Sequence, residues 1–215
     1  MSKEPLNRYV EHGVDAAPCS PMEPPEARAD PTVEQIPFES LVLPLRELLE
    51  EHQEYEKVLN VFEKSLLELK QKEWRFSPEI SSGLKRFFQF QDERMIGHHR
   101  KEEKCVFPFL REKFLATGEH SPTGKPVTPV EVMEDDHLEL GQSACLVFNL
   151  LGLAPRLEDA KSRNVLFEHA FNLGQEIVER MRLHIYKENT VIFPLAQQLI
   201  SEDEWGVIGK MMQEI

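Results

Sequence analysis

The chain has 215 residues and a mass of 25.0 kDa, a length that suits one domain or one domain with an appendage. Hydrophobic residues make up 40% and charged residues 29%, as expected of a soluble globular chain with a sizeable core. Asp and Glu number 38 against 25 Lys and Arg, a formal charge of −13. That surplus disfavours nucleic acid and anionic membrane as partners and suits cations.

Residues 1–10 are polar and lack the apolar stretch of a signal peptide, and no later run reads as the roughly 20 apolar residues of a membrane span. Three cysteines, Cys19, Cys105 and Cys145, are widely spaced and form no C-x-x-C pair. This argues against a disulfide framework or a thiolate zinc site, and the expected location is a reducing cytoplasm. Residues 1–40 hold Pro5, Pro18, Pro21, Pro24, Pro25, Pro31 and Pro37 with few large apolar residues, which reads as an extended or disordered arm. Residues 41–215 form the expected domain.

From Pro44 onward, apolar residues recur at helical spacing. The first predicted helix has the seam Leu45, Leu48, His52, Tyr55, Leu59, Phe62, Leu66, Leu69. The second opens with Ser77 as N-cap and Pro78 after it. Its seam runs Ile80, Leu84, Phe87, Gln91, Met95, His98, Glu102, Val106, Phe109, and Gly118 is the expected stop. The third starts at a capping box, Thr128 to Glu131, and buries Val130, Met133, His137, Leu140, Ala144, Val147 and Leu151. The fourth carries Leu166, Ala170, Leu173, Ile177, Met181, His184, Glu188, Val191 and Leu195. A second capping box, Ser201 to Glu204, opens a short last helix with Trp205, Ile208 and Met212. The pattern predicts an all-α, up-down-up-down four-helix bundle with a short C-terminal helix and an irregular N-terminal arm. Phe107-Pro108 and Phe193-Pro194 are expected to close and kink the second and fourth helices.

The seams contain polar residues that a core does not need. Each long helix places one His on its buried stripe, and the second and fourth add a Glu four residues later. Such a step turns roughly 400°, stacking His98 on Glu102 and His184 on Glu188 about 6 Å apart. The two halves also match: His98 to Pro108 aligns without gaps on His184 to Pro194, and residues 50–54 align on 135–139. His52 and His98 are 46 residues apart, His137 and His184 47. The halves read as two copies of one helical hairpin, and His99, which aligns with Ile185, falls outside the repeated set.

A lone His on an apolar stripe is ordinarily a core residue. Four imidazoles and two carboxylates at one level, with no Arg or Lys on the stripes, call for a pair of divalent cations. Nitrogen and oxygen donors without thiolate permit iron, manganese, zinc or copper. Glu134 and His137 alone show the Glu-x-x-His spacing of ferritin-like sites, and H-E-x-x-H, phosphate-loop and dinucleotide motifs are absent.

One His, then H-x-x-x-E followed by Phe-Pro, then the same again, resembles the hemerythrin-like (HHE cation-binding) domains over residues 44–200. The resemblance implies a non-haem di-iron centre of two Fe ions. Glu102 and Glu188 would bridge them together with an oxo or hydroxo group, with His52 and His98 on one iron and His137 and His184 on the other. The oxygen-carrying members have a fifth His one turn after the third helix's ligand, where this chain has Gly141; Glu56 stands at the equivalent place on the first helix. The open iron is then expected on the His137/His184 side, with Glu56 at the surface or behind the ligands. The implied function is binding of dioxygen or another small diatomic or peroxide ligand, as carrier, store or sensor. The alternatives are a di-iron enzyme handling nitric oxide or peroxide, or an iron donor of the iron–sulfur repair type. That repair group also uses four His and two Glu, but often carries a Cys-bearing N-terminal domain that this sequence does not show. The absence of a redox Cys pair tilts the reading towards binding.

Other residues read more plainly. Tyr55 is expected to pack rather than to bond a ligand, and Glu50-Glu51 and Asp135-Asp136 to form a solvated face rather than to orient imidazoles. Cys105 and Cys145 read as core fillers, and His12, His120 and His169 as surface residues.

Overall fold

The computed structural model describes residues 37–121 and 125–215, and among them every regular element is helical. The expected arm lies outside these residues except for its last four, which include a single 3-10 turn, Phe38–Ser40. Helix α1 spans Leu43–Gln71. A second helical run, α2, covers 78–117, and α3 spans Pro129–Leu153. The fourth run, α4, covers 160–199, and α5 spans Glu202–Met212. Among the described residues the fold is all-α, as the sequence pattern predicts.

The ends follow the expected chemistry. Ser77 Oγ accepts the Ile80 N–H at the start of α2. Gly118, at φ 83°, stops that run in the left-handed region, where glycine carries no steric penalty. Thr128 and Ser201 both engage the carboxylate three residues on, and Ser201 with Glu204 completes a reciprocal capping box. The turn after α1 places Glu73 and Trp74 at φ 52° and 64°; the Trp74 ring stacks on Phe167 at 5.5 Å, which holds a conformation that a bulky side chain disfavours.

Two compact units make up the fold. One consists of residues 50–98 and 136–184, with a segment of each of the four long helices. Within it α1 and α2 run antiparallel, since Tyr55 meets Gln91 and Phe62 stacks on Phe87 at 3.8 Å. Gly83 permits this approach: a Cβ there would stand 2.0 Å from Ser65 Oγ. The other unit consists of the described residues up to Leu49 with 99–135 and 185–215, and its core gathers Leu45, Phe107, Phe114, Phe193 and Trp205.

Nearly every seam residue is buried as expected, including all eight on α1 and all seven on α3. On α4 the inward position is Phe167, 2% exposed, rather than the half-buried Leu166. The Phe-Pro pairs do not close their helices. Each run widens by one residue just before its proline, where Phe107 N–H bonds to Glu102 C=O and Phe193 N–H to Glu188 C=O, five residues back. A proline removes one backbone donor and crowds the carbonyl four residues earlier; the wider turn re-routes the ladder and the helix continues to Thr117 and Leu199. Helix α3 and its extension, Pro129–Arg156, are long and apolar enough to cross a membrane by length and composition, contrary to the sequence expectation, although only 28% of that apolar window is buried.

Candidate metal centre

The repeat places its polar residues where the hairpin copies bring them together. His52 and His98 are 1% and 2% exposed, and their Nε2 atoms stand 3.0 Å apart. His137 and His184 repeat the arrangement at 3.1 Å, with ring planes inclined at 64° against 60° in the first pair. Two nitrogens at about 2.1 Å from one ion, at right angles, stand about 3 Å apart. Both pairs therefore have the spacing of neighbouring ligands on a single cation.

The carboxylates complete two donor groups. His52, His98, Glu102 and Glu188 each offer an atom within 4.8 Å of the others, and so do His137, His184 and Glu188. Glu188 belongs to both groups, which suits a carboxylate that spans two ions. Glu102 and Glu188 are both wholly buried, and each opens one of the widened turns ahead of a Phe-Pro. Moving an ionised carboxylate out of water costs several kcal/mol unless a cation compensates. By burial, spacing and donor type, these six side chains fit divalent metal.

The acidic residues before the first ligand of each half do more than face solvent, which corrects the sequence expectation. Glu51 Oε2 accepts a hydrogen bond from His98 Nδ1 at 2.8 Å, and the repeat-matched Asp136 Oδ2 stands 3.5 Å from His184 Nδ1. A carboxylate on Nδ1 fixes that nitrogen as the donor, leaving the Nε2 lone pair for a cation. The misreading has a simple cause: position i−1 on α1 turns about 100° away from the buried stripe yet still reaches the ring on the neighbouring helix.

The remaining candidates separate clearly. Tyr55 is fully buried, stacked on Phe90 at 5.3 Å, and its hydroxyl accepts from Gln91 Nε2; burial pushes its phenol far above the ordinary value, so it stays protonated. Its repeat mate is the aliphatic Leu140, so only one half carries a phenol. Glu56 is exposed, and nothing lies within 4 Å of where a Cβ on Gly141 would stand. Glu134 is bound to Arg111 at 2.6 Å. His99 is half-buried and outside both donor groups. Cys105 is buried, with burial pushing its thiol up, but Cys145 is exposed and so is no core filler. His169 is exposed, His120 half-buried against the Ser121 carbonyl, and His12 lies outside the described residues.

Comparison with known proteins bears on the same residues. The sequence matches the hemerythrin HHE cation binding domain over residues 43–196. The chain belongs to the hemerythrin HHE family. Its members bind iron, and the six buried side chains all fall within the matched span. The chain is also similar to proteins named iron-sulfur cluster repair protein YtfE from Salmonella paratyphi B, Salmonella newport and Salmonella heidelberg. Each is 26% identical over 121 residues, covering 55% of this chain and 49% of the relative. The chain thus spans about half the length of the curated relatives it matches. No solved structure gives a significant match.

Proposed function

We propose that this hemerythrin HHE protein holds a non-haem di-iron centre and uses it to bind dioxygen or another small diatomic or peroxide ligand, as carrier, store or sensor. The observation that carries the reading is the paired spacing of the imidazoles, 3.0 Å for His52 with His98 and 3.1 Å for His137 with His184, with Glu188 in reach of both pairs. His52 and His98 would hold one iron, His137 and His184 the other, and Glu102 and Glu188 would span them. When bound, the iron pair supplies electrons and open coordination positions to a small ligand.

The chain's own residues set the conditions. Glu51 bonds His98 Nδ1 and turns that imidazole so that Nε2 faces inward, and Asp136 stands 3.5 Å from His184 Nδ1. Gly141 supplies no donor one turn after His137, and the exposed Glu56 belongs to neither donor group, which supports a centre that keeps positions for an exogenous ligand, with the open one on the His137/His184 side. A buried, protonated Tyr55 one turn from His52 adds packing and a hydrogen bond to Gln91.

A second reading, an iron donor of the iron–sulfur repair type, rests on the similarity to YtfE. Optical spectra of the reduced protein mixed with dioxygen separate the two. A reversible oxygenated spectrum supports binding. Irreversible oxidation, or transfer of iron to a cluster-depleted acceptor protein, supports the enzymatic or repair role and overturns the binding one.

A further inference from the structure

Helix α3 is apolar on two faces. Its inner face carries the seam from Val130 to Leu151, whereas Leu138, Leu146 and Leu153 stand 61%, 53% and 48% exposed on the outer one. Gln142, Cys145 and Asn149 share that outer face and are exposed as well. From Leu140 to Pro155 the chain has no charged residue, although the protein carries a net charge of −13. An amphipathic surface helix has no reason to be apolar on its solvent side, so a stripe of this kind marks a contact surface.

The pattern of the stripe indicates what covers it. If two copies of α3 lie antiparallel about a twofold axis between residues 145 and 146, Leu138 faces Leu153, Gln142 faces Asn149, and Cys145 faces Leu146. Apolar meets apolar, amide meets amide, and the small thiol meets the central leucine. A twofold interface requires this self-complementarity. The steps 138, 142, 145, 149 and 153 also keep the three-and-four spacing of a helix-pairing seam. Elsewhere the acidic surface repels a second acidic copy, and only an uncharged face meets its own image without like-charge cost.

We propose that the outer face of α3 is a homodimer interface, built on the six residues Leu138, Gln142, Cys145, Leu146, Asn149 and Leu153 about a twofold axis beside Cys145. The inference is independent of the metal centre.

The test is the solution mass by light scattering on the full chain at about 50 μM, with and without Leu146→Glu. The wild type should show twice 25.0 kDa. Leu146→Glu should reduce it to one chain with unchanged far-ultraviolet circular dichroism, because that side chain is exposed in the monomer. In a Cys19→Ser/Cys105→Ser background, diamide should oxidise the two Cys145 thiols that flank the twofold axis to an intermolecular disulfide, being itself reduced to the hydrazine. A wild-type mass of one chain would overturn the proposal, as would a dimer that Leu146→Glu leaves intact. A single-chain protein that floats with phosphatidylcholine vesicles would assign the face to a lipid surface instead.

Discussion

Glu51 Oε2 lies 2.8 Å from His98 Nδ1, and Asp136, its match in the second half, lies 3.5 Å from His184 Nδ1. In both copies of the hairpin the residue just before one imidazole reaches towards Nδ1 of the imidazole on the next helix, and in the first copy the approach is a hydrogen bond. The two are not equal, because Asp136 also stands 3.5 Å from Arg180 Nη1, whose charge competes for it.

This inequality predicts unequal mutants. Glu51→Ala should weaken metal binding by about 10- to 100-fold, the usual loss when an imidazole's orienting carboxylate is removed. Asp136→Ala should lose less. Chelator competition on both variants checks this, and unchanged affinity in Glu51→Ala would count against the orienting role.

Metal removal should lower stability as well as occupancy. Cation binding to the folded chain alone adds to its unfolding free energy. Chelation should therefore depress the Tm of the wild type. Glu188→Ala, which removes the carboxylate common to both donor groups, should leave a Tm that chelator no longer changes. Calorimetric scans with and without chelator make the comparison.

The last helix carries a pH-dependent contribution. Lys113 Nζ bonds the Glu204 carboxylate at 2.7 Å, and the Ser201 backbone N–H and hydroxyl add to it, holding its pKa down to about 2 from an ordinary 4.5. A folded value below the unfolded one stabilises the protein above about pH 4.5, and that gain fades as pH falls through about 2. Metal-free wild type should thus exceed Glu204→Gln in Tm at pH 6 and converge on it near pH 2. Parallel curves over that range would contradict the assignment.

Glycine substitutions should act in opposite directions at two positions. Gly83→Ala pushes a Cβ against Ser65, whose hydroxyl is held by the Val61 carbonyl at 2.7 Å, and should cost about 1–3 kcal/mol. Gly206→Ala in α5 meets nothing within 4 Å and should add about 0.5–1 kcal/mol by restricting the unfolded chain. Urea unfolding measures both.

The fold was readable because its signals are local and periodic. His52 and Tyr55 fall on the same stripe as Leu48 and Leu59, and the caps at Ser77, Gly118 and Ser201 sit where their chemistry requires. The six polar seam residues were legible for a second reason: the hairpin repeats, so each unusual residue has a match. What sequence missed depends on neighbours. Whether Glu51 faces solvent or His98 is decided by the next helix, and whether Cys145 is buried depends on which side of α3 is covered. Pro108 and Pro194 were read by the rule for a regular α-helix, whereas the preceding turns widen and spare the helix. On α4 a one-residue shift separates Leu166 from Phe167, because aromatic Trp74 stacks on the latter.

The central claim is that six buried side chains hold two irons, and metal analysis of the purified, iron-loaded protein tests it most directly. The account predicts two iron atoms per chain, falling below one when Glu188 is replaced by Ala. One zinc per chain, or no bound metal, would contradict it.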